Sequence, residues 1–419
     1  MGKTFAQKIL AKKANLKSVE VGQIVTVHPD YLLMHDNTAA IVSKISKDLK
    51  QYGLYDPDLP IIVLDHVVPA SDEKTALNHK QIREFVKNYH IKNFFDVGNG
   101  ICHQVVIEKG FALPSKLLLG SDSHTCSYGA LGAFSTGIDR TEASALLLTG
   151  ETWLKVPHSI KILLRGKLNH YVSAKDLILY IIGKIGADGA NYASVEFHGD
   201  VHNLTIDDRI TIANMGVEMG AKNAVFPVDD ITTLYLSTIG IGANQYEITW
   251  ADEDAEYAQV LEIKLSEVPI SVAVPHSVDA WKTIEEVEGI QVDQCFLGTC
   301  TNGRLSDLRI AAEILWGRKV SPNTRLLVLP ASKKIFEEAI RLGYIDTLSK
   351  AGAIILPTGC GPCLGAHQGV LAPSEKCIST ANRNFKGRMG CNESEIYLAS
   401  PAVVAASAIN GKITNPEKL

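Results

Sequence analysis

Short apolar runs of strand length recur along this chain, at Ile61 to Leu64, Leu117 to Leu119, Phe296 to Leu297, Leu326 to Leu329 and Ile354 to Leu356, with helical patterns such as Ser306 to Trp316 between them. Strands separated by helices return in parallel rather than as hairpins, so the alternation predicts α/β layers around parallel sheets. At 419 residues the chain exceeds what one hydrophobic core normally organises, and several domains are expected. The texture changes near Val156-Pro157-His158, where a segment with more local strand pairing begins, and Glu285 to Val292 leads back to strand-helix units. Three α/β domains around a central cleft follow, at 1–157, 158–287 and 288–419. Thr4-Phe5-Ala6-Gln7 has the form of a capping box, and Phe5, Ile9 and Leu10 give the helix after it an apolar stripe.

Composition narrows the function. Hydrophobic residues at 46% and charged residues at 21% are ordinary for a globular protein and exclude a disordered or fibrous chain. A formal charge of -5 without any basic block argues against general affinity for nucleic acid or anionic membranes, so an anionic substrate would need locally placed arginines. Neither a signal-like apolar core nor an 18-residue apolar run occurs, and a cytoplasmic protein is expected. Eight cysteines in so long a chain do not make a disulfide scaffold, and clustered thiols in a reducing compartment serve metal or redox chemistry more often.

Polar clusters follow the apolar runs: Asp65-His66, His103 after a Gly-rich loop, Asp122-Ser123-His124, Cys300 and Cys360. Ligand sites in open α/β sheets gather beyond the carboxyl ends of strands, so these clusters could share one cleft. In Cys360-Gly361-Pro362-Cys363 two thiols three residues apart suit a metal, a disulfide or a purely structural role; the same four residues form the thioredoxin redox sequence. Gly298-Thr299-Cys300-Thr301-Asn302-Gly303 offers a third cysteine. Structural zinc is normally closed by four ligands, whereas a 4Fe-4S cluster on three thiolates keeps one iron open to substrate oxygen. The remaining cysteines are more simply read as small buried apolar residues. Arg383 and Arg388 in one loop could grip a carboxylate bidentately, although a solvated turn is the commoner fate of such a loop. Asp65 with His66, and Asp122 with His103, pair a carboxylate with an imidazole that it could hold protonated as a general acid. Gly240-Ile241-Gly242 lacks the third glycine of a dinucleotide fingerprint, and no phosphate-loop Gly-Lys-Ser/Thr is present.

Taken together, Asp65-His66, Gly100-Ile101-Cys102-His103-Gln104, Asp122-Ser123-His124-Thr125, the Cys300 loop, Cys360-Gly361-Pro362-Cys363 and Asn382 to Arg388 resemble the aconitase superfamily, in order from about residue 25 to the C-terminus. The resemblance is to its two-subunit branch, that of the large subunits of 3-isopropylmalate dehydratase and homoaconitase, which lack the mobile fourth domain. It implies a hydro-lyase interconverting 2-hydroxy and 3-hydroxy acids through an alkene acid, as in leucine biosynthesis, and a separate small subunit supplying the swivel domain and the serine base. It further implies a 4Fe-4S cluster on Cys300, Cys360 and Cys363, with one iron not held by cysteine. Asp65, His66, His103, Asp122 and His124 would be catalytic, and Glu196 would orient bound water or hydroxyl. His35, Ser123, Asn382, Arg383 and Arg388 would contact substrate or the cluster surroundings. His35 stands where aconitase has glutamine, and Ser127 where it has an asparagine beside the cluster. Two rival classes, an iron-free disulfide oxidoreductase using Cys360 and Cys363 and a regulatory RNA-binding protein, make different demands on structure and charge.

Overall fold

The computed structural model describes residues 2–419. The capped opening helix is Phe5–Lys13: the Thr4 side chain accepts from the Gln7 N–H, and the Gln7 side chain accepts from the Thr4 N–H. All five apolar runs singled out in the sequence contain strands, and the helical pattern near 306 is the helix Leu305–Leu315.

The first sheet has five parallel strands in the spatial order Asn93–Phe95, Pro60–Val63, Tyr31–Met34, Leu117–Gly120 and Phe134–Gly137. Pro60–Val63 and Leu117–Gly120 are buried along their whole length, as parallel strands covered on both faces must be. Alternate side chains enter different cores. Leu33, Ile61, Val63 and Leu118 join an apolar cluster continuous with the rest of the molecule, whereas Leu32, Met34, Ile62, Leu117 and Leu119 pack with residues of the outer helices, such as Ile41, Ile82 and Leu146. One face of this sheet is thereby committed to the other two.

A second sheet carries four parallel strands ordered Asn223–Val225, Ser194–Gly199, Ser159–Arg165 and Gln259–Lys264. The third sheet has seven strands, ordered Trp281–Thr283, Ser271–Ala273, Glu395–Leu398, Lys376–Ser379, Gln294–Leu297, Arg325–Val328 and Ile354–Ile355. Its last five are mutually parallel, and the first two add an antiparallel edge. The third sheet therefore starts at Ser271, because Ser271–Ala273 pairs with Glu395–Leu398 of the C-terminal region and carries Trp281–Thr283 on its other side.

The carboxyl ends of the first and third sheets meet. The Ile101 N–H donates to the Ala331 carbonyl, the Lys333 N–H to that of Asn99, and the Cys360 N–H to that of Asp65 at 2.8 Å. Gly100 permits this approach: its φ is +137°, and a Cβ there would lie 2.6 Å from Ser332 Cα. The second unit joins from the side, where the Thr211 hydroxyl donates to the Thr301 carbonyl at 2.9 Å. No helix among the described residues is long and apolar enough to cross a membrane.

Candidate active site

One pocket lies where the units meet, lined by His66, His103, Asp122, Ser123 and His124 from the first and by Thr299, Cys300, Cys360, Cys363, Leu364, Asn382, Arg383 and Arg388 from the third. Most of these residues follow directly from a strand's carboxyl end, so the parallel topology itself gathers them.

His66 is the most strongly held acid. Its Nδ1 lies 2.6 Å from Asp65 Oδ1 and its Nε2 3.4 Å from Asp122 Oδ2. Burial opposes charge on this imidazole, but the Cys360 sulfur, Asp65 and Asp122 outweigh it and raise the His66 pKa well above the ordinary histidine value. His35 stacks beneath, with ring centroids 3.8 Å apart, and its pKa is pushed down to about 4 by burial and by the neighbouring His66. His35 therefore supports His66 from behind as a neutral ring. Beneath the same loop, Asp36 Oδ2 accepts the N–H groups of Asp65 and His66, each at 2.9 Å, while its Oδ1 faces His79 Nε2 at 2.8 Å.

Asp122 organises the second group. It faces His103 Nε2 at 2.9 Å and accepts the His124 N–H at 2.8 Å, capping the turn that starts at Ser123. Burial would raise its pKa, yet His103, His124 and His66 together hold it well below the usual carboxylate range. His103 is fixed from its other side by the Tyr128 hydroxyl, 3.1 Å from Nδ1.

Glu196 is not part of this arrangement. Its carboxylate is fully buried on Ser194–Gly199, accepting from the Phe5 N–H at 3.0 Å and from the Tyr257 hydroxyl at 2.9 Å, so it ties the opening helix to the second sheet. The acid of the second unit that touches pocket residues is Glu218, bonded to His124 Nε2 at 2.9 Å and to Arg383 Nε at 2.7 Å. Asn214 was likewise not singled out in the sequence: its Nδ2 donates to Cys300 Sγ at 3.2 Å and to the Ser127 hydroxyl at 2.9 Å. Ser127 thus acts on the cysteine loop through Asn214. The local sequence, Ile210 to Gly220, carries no signal that sets Asn214 and Glu218 apart, since Thr211 there is polar as well.

Around the thiols, donors aim at sulfur. Asn382 Nδ2 lies 3.4 Å from Cys300 Sγ, and Arg388 Nη2 lies 3.3 Å from Cys363 Sγ. Burial pushes the Cys300 thiol up to about 12, so a thiolate here would need positive charge, which Arg388 nearby and a bound metal centre would supply. A cluster on three thiolates fits this donor set. Gly361–Cys363 is one short 3-10 turn rather than the start of a helix, so the pair lacks the helix N-terminus that activates a thioredoxin-type cysteine. Cys102, Cys126, Cys295 and Cys377 are buried outside the pocket lining, and no disulfide is present among the described residues. Arg304, almost fully buried, braces the loop by donating from Nη1 to the Cys300 carbonyl at 3.0 Å and from Nη2 to the Thr301 carbonyl.

Comparison with known proteins matches this geometry to a family. The model of the aconitase family (aconitate hydratase) matches residues 7–288 and 280–411. The chain is 49% identical over 421 residues to the 3-isopropylmalate dehydratase large subunit of Lachnoclostridium phytofermentans, covering all of both chains. It is 48% identical to the protein of that name in Clostridioides difficile and 47% to that in Helicobacter hepaticus, again over both full lengths. Among solved structures, the holo-form of Thermococcus kodakaraensis aconitase X shares the fold, with a TM-score of 0.51 at 12% identity over 90% of this chain and 88% of that one. Matched by the family model over nearly its whole length, the chain belongs to the aconitase family.

Proposed function

We propose that the chain is the large subunit of a 3-isopropylmalate dehydratase, a hydro-lyase that moves a hydroxyl group between neighbouring carbons of its substrate through an alkene acid. The observation that carries this reading is the meeting of Cys300, Cys360 and Cys363 with His66, set between Asp65 and Asp122, and with Arg383 and Arg388 in one pocket. The names of the full-length relatives support the particular substrate and the role in leucine biosynthesis.

Cys300, Cys360 and Cys363 would hold a 4Fe-4S cluster. Bound there, the cluster would supply a Lewis-acidic iron, not held by cysteine, that draws charge from a substrate hydroxyl. The chain's own residues do the rest. His66, kept charged between Asp65 and Asp122, gives its proton to the departing hydroxyl, which leaves as water. His103 and His124 hold Asp122 in place to restore that charge. Arg383 and Arg388 bind the substrate's carboxylate groups and stabilise the charge that builds when the neighbouring C–H is lost. Ser123 and Asn382 line the space between acid and sulfur and orient the substrate.

On this reading the imidazoles and carboxylates among the described residues of the pocket serve to protonate the departing hydroxyl, and the carbon-bound proton is left to a base from outside the chain. A separate small subunit carrying the swivel domain would bring the base across the open mouth of the pocket, forming a heteromer. Cytoplasmic synthesis suits the exposed sulfur chemistry of such a cluster. Neither nucleic acid nor a membrane belongs to this reading.

The test is anaerobic reconstitution of the chain with iron and sulfide, mixing with its cognate small subunit, and ultraviolet detection of the alkene acid formed from isopropylmalate, homocitrate and methyl-substituted malates. Alkene formation from isopropylmalate fastest of all is expected; a faster reaction with another of these acids would move the substrate, and silence with every one would end the reading. Cys300→Ser should lose cluster iron and all turnover, whereas Arg383→Lys should keep the iron and raise KM about tenfold or more, as loss of a bidentate grip on carboxylate costs at least ~1.5 kcal/mol.

A further inference from the structure

Lys175 is an ammonium placed where physics disfavours one. It sits in the first turn of the helix Ala174–Ile185, where the helix dipole repels cations, and it is fully buried. Among the described residues no carboxylate forms an ion pair with it. The adjacent Asp176 is engaged elsewhere, accepting the N–H of Ser173 and that of Ser271, each at 2.8 Å. The ammonium instead donates to two consecutive backbone carbonyls of the third unit, Thr380 at 2.9 Å and Ala381 at 2.5 Å. These residues immediately precede Asn382 and Arg383. The Thr380 hydroxyl in turn bonds both the N–H and the carbonyl of Gly298, two residues before Cys300. Lys175 thus grips, from another domain, the strand end that connects the Cys300 loop to the Asn382–Arg388 loop.

Two carbonyls could be satisfied by a neutral donor, so the charge itself requires an explanation. Burial pushes Lys175 down to about 7, and the groups pulling it back up are, in order, Cys363, Cys300, Glu218 and Asp176. Glu218 is already matched by His124 and Arg383. Asp176 has no cation either, but its oxygens are taken up by the N–H groups of Ser173 and Ser271 and by the Ser173 hydroxyl; the charge in this set with the fewest partners of its own is that of the thiolates.

We propose that Lys175 is a positioning residue and the buried counter-charge of the three-thiolate centre, holding the Thr380–Arg383 segment by its carbonyls while its ammonium offsets the charge that Cys300 and Cys363 acquire when they bind a cluster. This rests on the cluster reading above. Net charge and hydrogen bonding near an iron-sulfur cluster set its reduction potential, so the cation is visible there independently of turnover.

The full chain and two variants, Lys175→Met and Lys175→Gln, are reconstituted anaerobically with iron and sulfide, and the midpoint potential of the cluster is measured by spectroelectrochemical titration. Methionine keeps the volume and removes both charge and donors; glutamine keeps a donor and removes only the charge. Both variants should bind iron and shift the midpoint to more negative potential, by similar amounts. An unchanged midpoint in variants that carry the cluster would overturn the proposal, leaving a structural lysine whose loss lowers only the thermal midpoint of the cluster-free chain. Should the methionine variant fail to fold, the glutamine variant decides, and failure of both to fold would likewise assign Lys175 to structure alone. Failure of the unsubstituted chain to bind iron would count against the cluster reading itself, a separate result.

Discussion

The division of labour between two buried acids can be tested side by side. Glu218→Gln removes the charge that holds both His124 and Arg383, so kcat/KM should fall by about 100-fold, consistent with ~3 kcal/mol for breaking a buried charged network. Glu196→Gln instead weakens the tie between Phe5 and Tyr257, and should lower unfolding stability by ~1–3 kcal/mol while the folded, loaded enzyme keeps its kcat. A kcat collapse in the Glu196 variant, with normal iron content, would return that residue to the chemistry. Asp36 has a pH signature. Burial alone would raise its carboxyl, but His79, His66 and the N–H groups of His66 and Asp65 depress it below the usual range. A depressed folded pKa gives stability that is fully present above the unfolded value of about 4 and is lost as pH falls below it. The difference in urea stability between the native chain and Asp36→Asn, both cluster-free, should therefore be largest near neutral pH and shrink on acidification. A gap that widens in acid would show that the sign is wrong.

Between residue and molecule stand the loops that leave each strand, and their shape is as constrained as their chemistry. Gly298 has φ +157°, and a Cβ there would lie 2.7 Å from the Leu329 carbonyl oxygen. Gly298→Ala should destabilise the cluster-free chain by ~1–3 kcal/mol and lower iron uptake, as followed by urea unfolding and iron analysis. Normal uptake would mean that the Cys300 loop tolerates displacement. The loops after Ile61–Leu64 and Leu117–Leu119 were legible because an apolar run ends abruptly in Asp-His or Asp-Ser-His, a pattern that packing alone does not need. The antiparallel strands Ser271–Ala273 and Trp281–Thr283 were not, since three-residue strands lack a measurable period and the strand that joins them to the sheet, Glu395–Leu398, lies far along the chain. Glu218 and Asn214 were missed for a related reason: they leave a helix end and a 3-10 turn rather than a strand, where position relative to the cleft has no local signature. Glu196 came only from the family resemblance, and its position in sequence did not show that its carboxylate meets the Phe5 N–H and the Tyr257 hydroxyl rather than the pocket.

For the whole molecule, the pocket is lined from the first and third units and braced from the second by Glu218, so whatever fills it stabilises the assembled state over the unfolded one. Ligand linkage gives ~4 kcal/mol at a thousandfold excess over the dissociation constant. The anaerobic thermal midpoint of the loaded chain should thus exceed that of the cluster-free chain by several degrees, and Cys300→Ser should abolish the difference. An equal midpoint for both forms would mean that the pocket does not respond to its metal. The RNA-binding alternative finds no basic surface block to support it in a chain of net charge -5.

The strand Glu395–Leu398 lies inside the third sheet, between Lys376–Ser379 and Ser271–Ala273. The early strands of that sheet therefore stay unzipped until a segment made well after Cys300 has folded in between them, so the vessel for iron and sulfide closes late in folding.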